Sequence, residues 1–282
     1  LSILDTGFLL PMGRFFRFMG GKFFLMKRLL PLVPPHRIYV EAFGGSAEFL
    51  FSKQPVEIEV YNDIDNSLVN LFEVVRSRLP EFQKKIKFLV YSRELKNRWE
   101  ISPPPECPVE WAVRTFYCYM SAFAGKRGIG WAYGRVSKSE PMVFQRKIES
   151  LTKIHERLKK VYIEHRDFQT CIKTWDNPDT FFFLDPPYRN VSQANHIKMS
   201  DSDYHVLKNI CETIQGKFLL TIGLDDFTKD LFTRKGWVTN VLSSFRASRG
   251  VTRTSKGPRG SYKHLLVRNY VKPRGQNIVK KR

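Results

Sequence analysis

Thr180-Phe-Phe-Phe-Leu-Asp-Pro-Pro-Tyr188 carries the strongest structural signal in the chain. Phe181 to Leu184 is a short run of bulky apolar residues ended abruptly by proline. Such a run reads as a strand buried on both faces of a sheet. Asp185 then falls at the carboxyl end of that strand, where open α/β sheets bind their ligands. Pro186 and Pro187 cannot continue the strand, and each fixes its own φ. The result is a stiff corner presenting one carboxylate, backbone carbonyls and the ring of Tyr188. That set suits a planar amine, with acceptors for its NH2 and a face for its ring. A strand followed by a Pro-Pro turn is the plain alternative. With Pro near 5% of average composition, Asp-Pro-Pro-Tyr would arise by chance in roughly one chain of this length in a thousand.

The flanking chain repeats the strand-turn-helix theme. Arg37 to Phe43 reads as a strand running into Gly44-Gly45-Ser46, with a helix expected over Ala47 to Ser52. That is the first half of a nucleotide-binding βαβ unit, in which glycines let the backbone approach a ligand. No G-x-G-x-x-G is present, so a dinucleotide is not indicated. Glu57 to Tyr61 is the second strand, and Asp63 follows it, 20 residues beyond Phe43. A carboxylate there is positioned for ribose hydroxyls. Asp65 suits the N-cap of a helix over Leu68 to Val75, which leaves Asp63 free. Upstream, Gly20-Gly21-Lys22 precedes a short helix over Phe23 to Leu30. An anion site at its N-terminus and a plain helix start fit it equally.

From Pro80 to Lys160 helical patterns dominate: Glu81–Val90, Val109–Ala124 and Gln145–Lys160. Between the last two, Gly125 to Arg135 mixes glycines with aromatics and with Lys126, Arg127 and Arg135. Cations among aromatics hold phosphates and stack bases, although an inter-helix loop has the same texture. Val161 to Glu164 is a third strand. Asp167 and Phe168 after it could meet an exocyclic amine and flank a ring, and a helix cap explains Asp167 as well on local grounds. Beyond the Pro-Pro corner, Arg189 to Ser200 reads as an irregular, mobile loop. A helix (Asp203–Gln215), a strand (Lys217–Ile222) and a helix (Asp226–Thr233) follow. Trp237–Ser243 and His264–Tyr270 are expected to pair antiparallel.

The chain has 282 residues, 42% of them hydrophobic, enough to bury a full core. No apolar run is long enough to span a bilayer, and Phe8 to Met12 is too short for a secretory signal. The chain begins with Leu, and Met12 is a candidate translation start. Cys107, Cys118, Cys171 and Cys211 have no metal-binding spacing and read as reduced thiols of a cytosolic protein. The net charge is +20, and Arg246 to Arg282 holds 12 Lys or Arg with no Asp or Glu. The last residues, 272–282, read as a basic tail. The part before it carries strand-like apolar residues, so Arg246, Arg249, Arg253, Lys256 and Arg259 are expected on an ordered basic loop, facing nucleic acid rather than serving as a solvated face that confers solubility.

In their serial order, Gly20-Gly21-Lys22, Val40-Glu41-Ala42-Phe43-Gly44-Gly45-Ser46, Asn62-Asp63-Ile64, Asp167-Phe168 and Asp185-Pro186-Pro187-Tyr188 resemble the Dam-like, alpha-class adenine-N6 DNA methyltransferases. The likeness runs from Gly20 to about Tyr270. It departs at Ala42 and Ser46, where the family often has Pro and Gly. It implies a class I, Rossmann-like α/β sheet, with the catalytic domain in 13–78 and 161–271 and a helical target-recognition insertion in 79–160. It further implies S-adenosylmethionine as methyl donor, lined by Gly21, Lys22, Glu41, Phe43, Gly45, Asp63, Asp167 and Phe168. Asp185, Pro186, Pro187 and Tyr188 would then hold the target adenine, with no metal. The partner is expected to be double-stranded DNA, and the protein a cytoplasmic monomer encoded by a bacterium or phage. Methylation of RNA or of cytosine-N4, or DNA binding by a degenerate methyltransferase fold, are the rival readings.

Overall fold

The computed structural model describes residues 14–128, 130–134, 139–189, 197–245 and 261–271. Seven strands form one sheet: β1 (Ile38–Glu41), β2 (Ile58–Asn62), β3 (Val161–Glu164), β4 (Thr180–Leu184), β5 (Lys217–Gly223), β6 (Val238–Phe245) and β7 (Ser261–Arg268). Their order is β3-β2-β1-β4-β5-β7-β6. The first five are parallel, and β7 runs antiparallel between β5 and β6. The chain adds β1, β2 and β3 in one direction, then returns to the middle and adds β4 and β5 in the other. The switch in direction lies between β1 and β4, where sheets of this kind leave a crevice at the strands' carboxyl ends.

The phenylalanine strand β4 is buried along its whole length, as its composition requires. Its side chains alternate between two cores, because strand side chains point to opposite faces in turn. Phe181 and Phe183 join Tyr39, Phe49, Tyr61 and Phe72 on one face. Phe182 and Leu184 join Val40, Val60, Phe218 and Leu220 on the other.

Eleven α-helices of the described residues cover the faces. They are α1 (Met26–Leu29), α2 (Glu48–Ser52), α3 (Asn66–Ser77), α4 (Leu79–Ile86), α5 (Arg93–Ile101), α6 (Pro108–Ser121), α7 (Glu140–Glu149), α8 (Leu151–Leu158), α9 (Phe168–Trp175), α10 (Asp201–Thr213) and α11 (Asp226–Phe232). Between β2 and β3 the described chain is helical, and its buried residues Phe82, Phe116, Ile148 and Leu158 belong to the same core as α3 and β4. Helices α9, α10 and α11 cover the opposite face through Ile172, Leu207 and Phe232.

Several elements differ from their expected form. The helix expected over Gln145–Lys160 is two helices, starting at Glu140 and broken at Ser150. The short helix near Pro31 is a 3-10 turn, one α turn and a second 3-10 turn containing the proline, which at an early position has no N–H to lose. Helix α5 was not expected: Lys96 is its one buried residue, so it carries little apolar periodicity to read. Among the described residues no helix is long and apolar enough to cross a membrane.

Candidate active site

Two clusters line the carboxyl edge of the sheet. The first gathers around Asp185. Register pairs Leu184 with Leu220, so Asp185 lies beside Thr221 of β5. The Thr221 hydroxyl donates to Asp185 Oδ1 at 2.6 Å, and Lys22 Nζ donates to Oδ2 at 2.7 Å. Lys22 also donates to the Gly20 carbonyl (2.8 Å), and its side chain is only 5% exposed. The Asp185 side chain retains 17% exposure, so the pair sits at the edge of the sheet rather than in the core. Burial raises the Asp185 carboxyl above its ordinary range, while Lys22 and the Thr221 hydroxyl pull it down. Two short charge-assisted contacts oppose the cost of burying a carboxylate at such a depth.

Tyr188 completes this cluster. Lys22 Nζ lies 4.7 Å from its ring centroid, and Tyr262 lies nearly parallel to it at 5.7 Å and 22°. A Cβ on Gly223 would come within 2.7 Å of the Tyr262 hydroxyl and 3.1 Å of the Tyr188 ring, so β5 must carry glycine beside them. The Tyr188 hydroxyl meets His264 Nδ1 at 2.9 Å. The Pro-Pro corner itself is pinned from α10, whose Tyr204 hydroxyl donates to the Pro187 carbonyl.

The second cluster follows β1 and β2. Gly45 has φ +51, and a Cβ there would come within 2.9 Å of the Phe18 ring. At Gly44 the conflict is with the Tyr61 ring at 2.2 Å and the Asn62 carbonyl at 2.9 Å. Ala47 is left-handed as well (φ 53), a strained state for a residue with a side chain. The Gly45 N–H donates to Asp63 Oδ2 (2.7 Å) and the Asp65 N–H to Oδ1 (2.8 Å). Each Asp63 oxygen therefore retains acceptor capacity. Burial pushes the Asp63 carboxyl up to about 6, against the pull of the Asp65, Gly45 and Ile64 N–H groups. Asp65 caps α3 as its position suggested, accepting from Ser67 N–H at 2.9 Å. Asn62 ties three strand ends together: its Nδ2 donates to the Ala42 and Arg166 carbonyls, and its Oδ1 accepts from Arg166 N–H. That tie brings Phe168 onto Phe43, stacked at 5.3 Å.

The remaining expected site residues have other immediate partners. Glu41 points into the core, 2% exposed, and accepts from the Tyr39 hydroxyl and the Leu50 N–H of α2. Burial pushes its carboxyl up to about 8. Asp167 is exposed and caps α9 through the Thr170 N–H and hydroxyl, which is the helix-cap alternative. Gly21 is required by packing, since a Cβ there would lie 2.6 Å from the buried Glu48 carboxylate. Glu48, unnoticed in the sequence, accepts from Phe23 N–H at 2.7 Å and so clamps the Lys22 segment to α2.

Lys126 is half-buried. Arg127 turns inward, 5.5 Å above the Tyr119 ring and 3.4 Å from the Ser67 hydroxyl. The glycines of this loop have structural roles too: a Cβ on Gly125 would meet the Arg17 backbone at 2.5 Å. Arg135, Arg246, Arg249, Arg253, Lys256, Arg259, the 190–196 stretch and the 272–282 tail lie outside the described residues.

Phe18, Thr221 and His264 also belong to the site and were not read from the sequence. Thr221 left a signal: it is the one hydroxyl in the buried Phe218–Ile222 run, in register beside Asp185.

Fold and site together define an open α/β protein with a buried, ion-paired carboxylate at the carboxyl edge of its sheet, beside the strand-order switch point. The model of the D12 class N6 adenine-specific DNA methyltransferase family matches residues 18–243, and the chain belongs to that family. It is also 25% identical over 269 residues to the Type II methyltransferase M.CviBI of Paramecium bursaria Chlorella virus NC1A, covering 90% of this chain and 98% of that one. The activity is adenine-specific DNA methylation from a methyl donor.

Proposed function

We propose that the donor is S-adenosylmethionine, taken at the switch-point crevice, and that the target is an adenine flipped out of double-stranded DNA onto Asp185 and Tyr188. The observation that carries this is the Lys22–Asp185–Thr221 cluster beside Tyr188, at the carboxyl edge of the sheet.

The residues of the second cluster fit the donor. Asp63 has open acceptor positions for two ribose hydroxyls, the Gly44-Gly45 turn permits close backbone approach, and Phe43, Phe168 and Phe18 offer ring faces. Glu41 and Gly21 would act indirectly, by fixing α2 and the Lys22 segment. When bound, S-adenosylmethionine supplies an electrophilic methyl on a sulfonium.

An adenine N6 is out of reach inside a duplex, so the base must leave the stack. Tyr188 receives its ring. Asp185, paired with Lys22, accepts a hydrogen bond from the amine, and the Pro186 carbonyl accepts the second. Both acceptors favour the positive charge that grows on the nitrogen as its lone pair is used, so they act mainly in the transition state. Lys126, Arg127, Arg135 and the Arg246–Arg259 segment would hold phosphates, and the 79–160 helices would read the target. The protein would act as a monomer.

The test is transfer of labelled methyl from S-adenosylmethionine to unmethylated DNA, followed by nucleoside analysis. Asp185→Ala should fold, bind the donor and lose at least about 10²–10³ in kcat, by analogy with loss of one oxyanion-hole donor. Wild-type protein that yields no methyladenine, or Asp185→Ala that works at the wild-type rate, would overturn the reading.

A further inference from the structure

His264 lies on β7 opposite Gly223, only 6% exposed. Its Nδ1 meets the Tyr188 hydroxyl at 2.9 Å, and its Nε2 meets the Ser244 hydroxyl of β6 at 2.6 Å. Thr221, facing the same corner from β5, donates to Asp185. Ser244, His264 and Tyr188 therefore form a row across β6, β7 and the Pro-Pro corner, next to the Thr221–Asp185 bond.

Burial, with Lys22 nearby, pushes the His264 imidazole down to about 4, so at neutral pH it carries one donor and one acceptor. Thr221 has a single proton, and it goes to the Asp185 carboxylate. His264 Nδ1 bonds the Tyr188 hydroxyl and Nε2 the Ser244 hydroxyl, one nitrogen as donor and the other as acceptor, so the neutral ring uses both.

We propose that His264 is a positioning residue for methyl transfer, holding the Tyr188 hydroxyl and so fixing the stacking ring relative to the acceptor carboxylate. The proposal rests on the reading of Tyr188 and Asp185 as the base-binding pair. A ring that carries a flipped base needs its rotation set from behind, and Gly223 supplies no side chain there. The one polar group on the ring is its hydroxyl, and His264 takes it from the neighbouring strand.

The test is a double-mutant cycle on the full chain, reading the single-turnover methylation rate and the S-adenosylmethionine Kd. His264→Leu should slow methyl transfer by about ten- to a hundredfold, the range for small misplacement of a reacting group, with the donor Kd unchanged. His264→Gln, which keeps one donor and one acceptor, should recover most of the rate. In a Tyr188→Phe background, which lacks the hydroxyl, His264→Leu should add almost nothing. A wild-type rate in His264→Leu, an equal loss in His264→Gln, or losses that multiply in the double variant would each overturn the proposal. Should His264→Leu not fold, His264→Asn, too short to reach Tyr188, takes its place in the cycle with the same outcomes. Inactive wild-type protein would instead remove the site reading beneath it, so the two failures are distinct.

Discussion

Lys22→Met tests the electrostatics of the site. Lys22 Nζ is 2.7 Å from Asp185, and the two side chains are 5% and 17% exposed. Removing one member of a buried pair costs about 3–5 kcal/mol when the other charge is stranded. Asp185 has an escape, because burial already raises its carboxyl and the variant removes the largest opposing pull. It can take up a proton instead. The sign follows from linkage. A carboxyl raised in the folded state binds more protons there than in the unfolded chain, so stability falls as pH climbs above its ordinary 3.8. In Lys22→Met the folded value is higher still, and that fall continues further, at up to about 1.4 kcal/mol per pH unit. Urea unfolding should therefore show a small deficit against wild type near pH 5 that grows toward about 3–5 kcal/mol by pH 8. Asp185→Asn added to Lys22→Met should remove the added pH dependence, leaving the deficit against wild type nearly constant from pH 5 to pH 8. Methyl transfer by Lys22→Met should be slow at neutral pH, because a protonated Asp185 no longer presents an ionised acceptor, and should recover partly in alkali. A deficit that is the same at pH 5 and pH 8, or a wild-type pH–rate profile, would refute the counter-ion role of Lys22.

Asp63→Ala should weaken S-adenosylmethionine binding by about 1.5–3 kcal/mol in titration calorimetry, the range for hydrogen bonds to a charged group; unchanged affinity in a folded variant would remove Asp63 from the crevice. Glu41, pushed up to about 8 by burial, should make wild-type stability decline between its ordinary 4.5 and 8, and Glu41→Gln should flatten that decline in urea melts across the same window. Neutralising two of Arg246, Arg249, Arg253, Lys256 and Arg259 should lower the slope of log affinity against log salt by about two units on duplex DNA. Sequence preference should hardly change, and an unaltered slope would move the DNA footprint elsewhere.

Local sequence carried much of this architecture. The phenylalanine run and its two prolines marked β4 and the Asp185 corner, because an unbroken apolar stretch has few other uses. Strand, glycine turn and carboxylate marked β1, Gly45 and Asp63, because a turn at positive φ and an acid at a strand end are local features. Asp65 showed itself as a cap by standing one residue before its helix. Capping could be recognised at Asp167 for the same reason, although its chemistry alone left two roles open.

The partners within the site could not be read that way. Lys22 reaches Asp185 across 163 residues, Tyr188 reaches His264 across 76, and Thr221 reaches Asp185 across 36. Periodicity reports which face of an element is apolar, but not which strand will lie beside it. Insertion of β7 between β5 and β6 is what sets His264 opposite Gly223 and within reach of Tyr188. The same limit applies to Glu41 and Arg127, whose residue types suggest ligand contacts but whose side chains turn inward to the Leu50 N–H and the Tyr119 ring. A charged side chain on a strand end or loop can face either a cleft or the interior, and packing of distant segments decides between them.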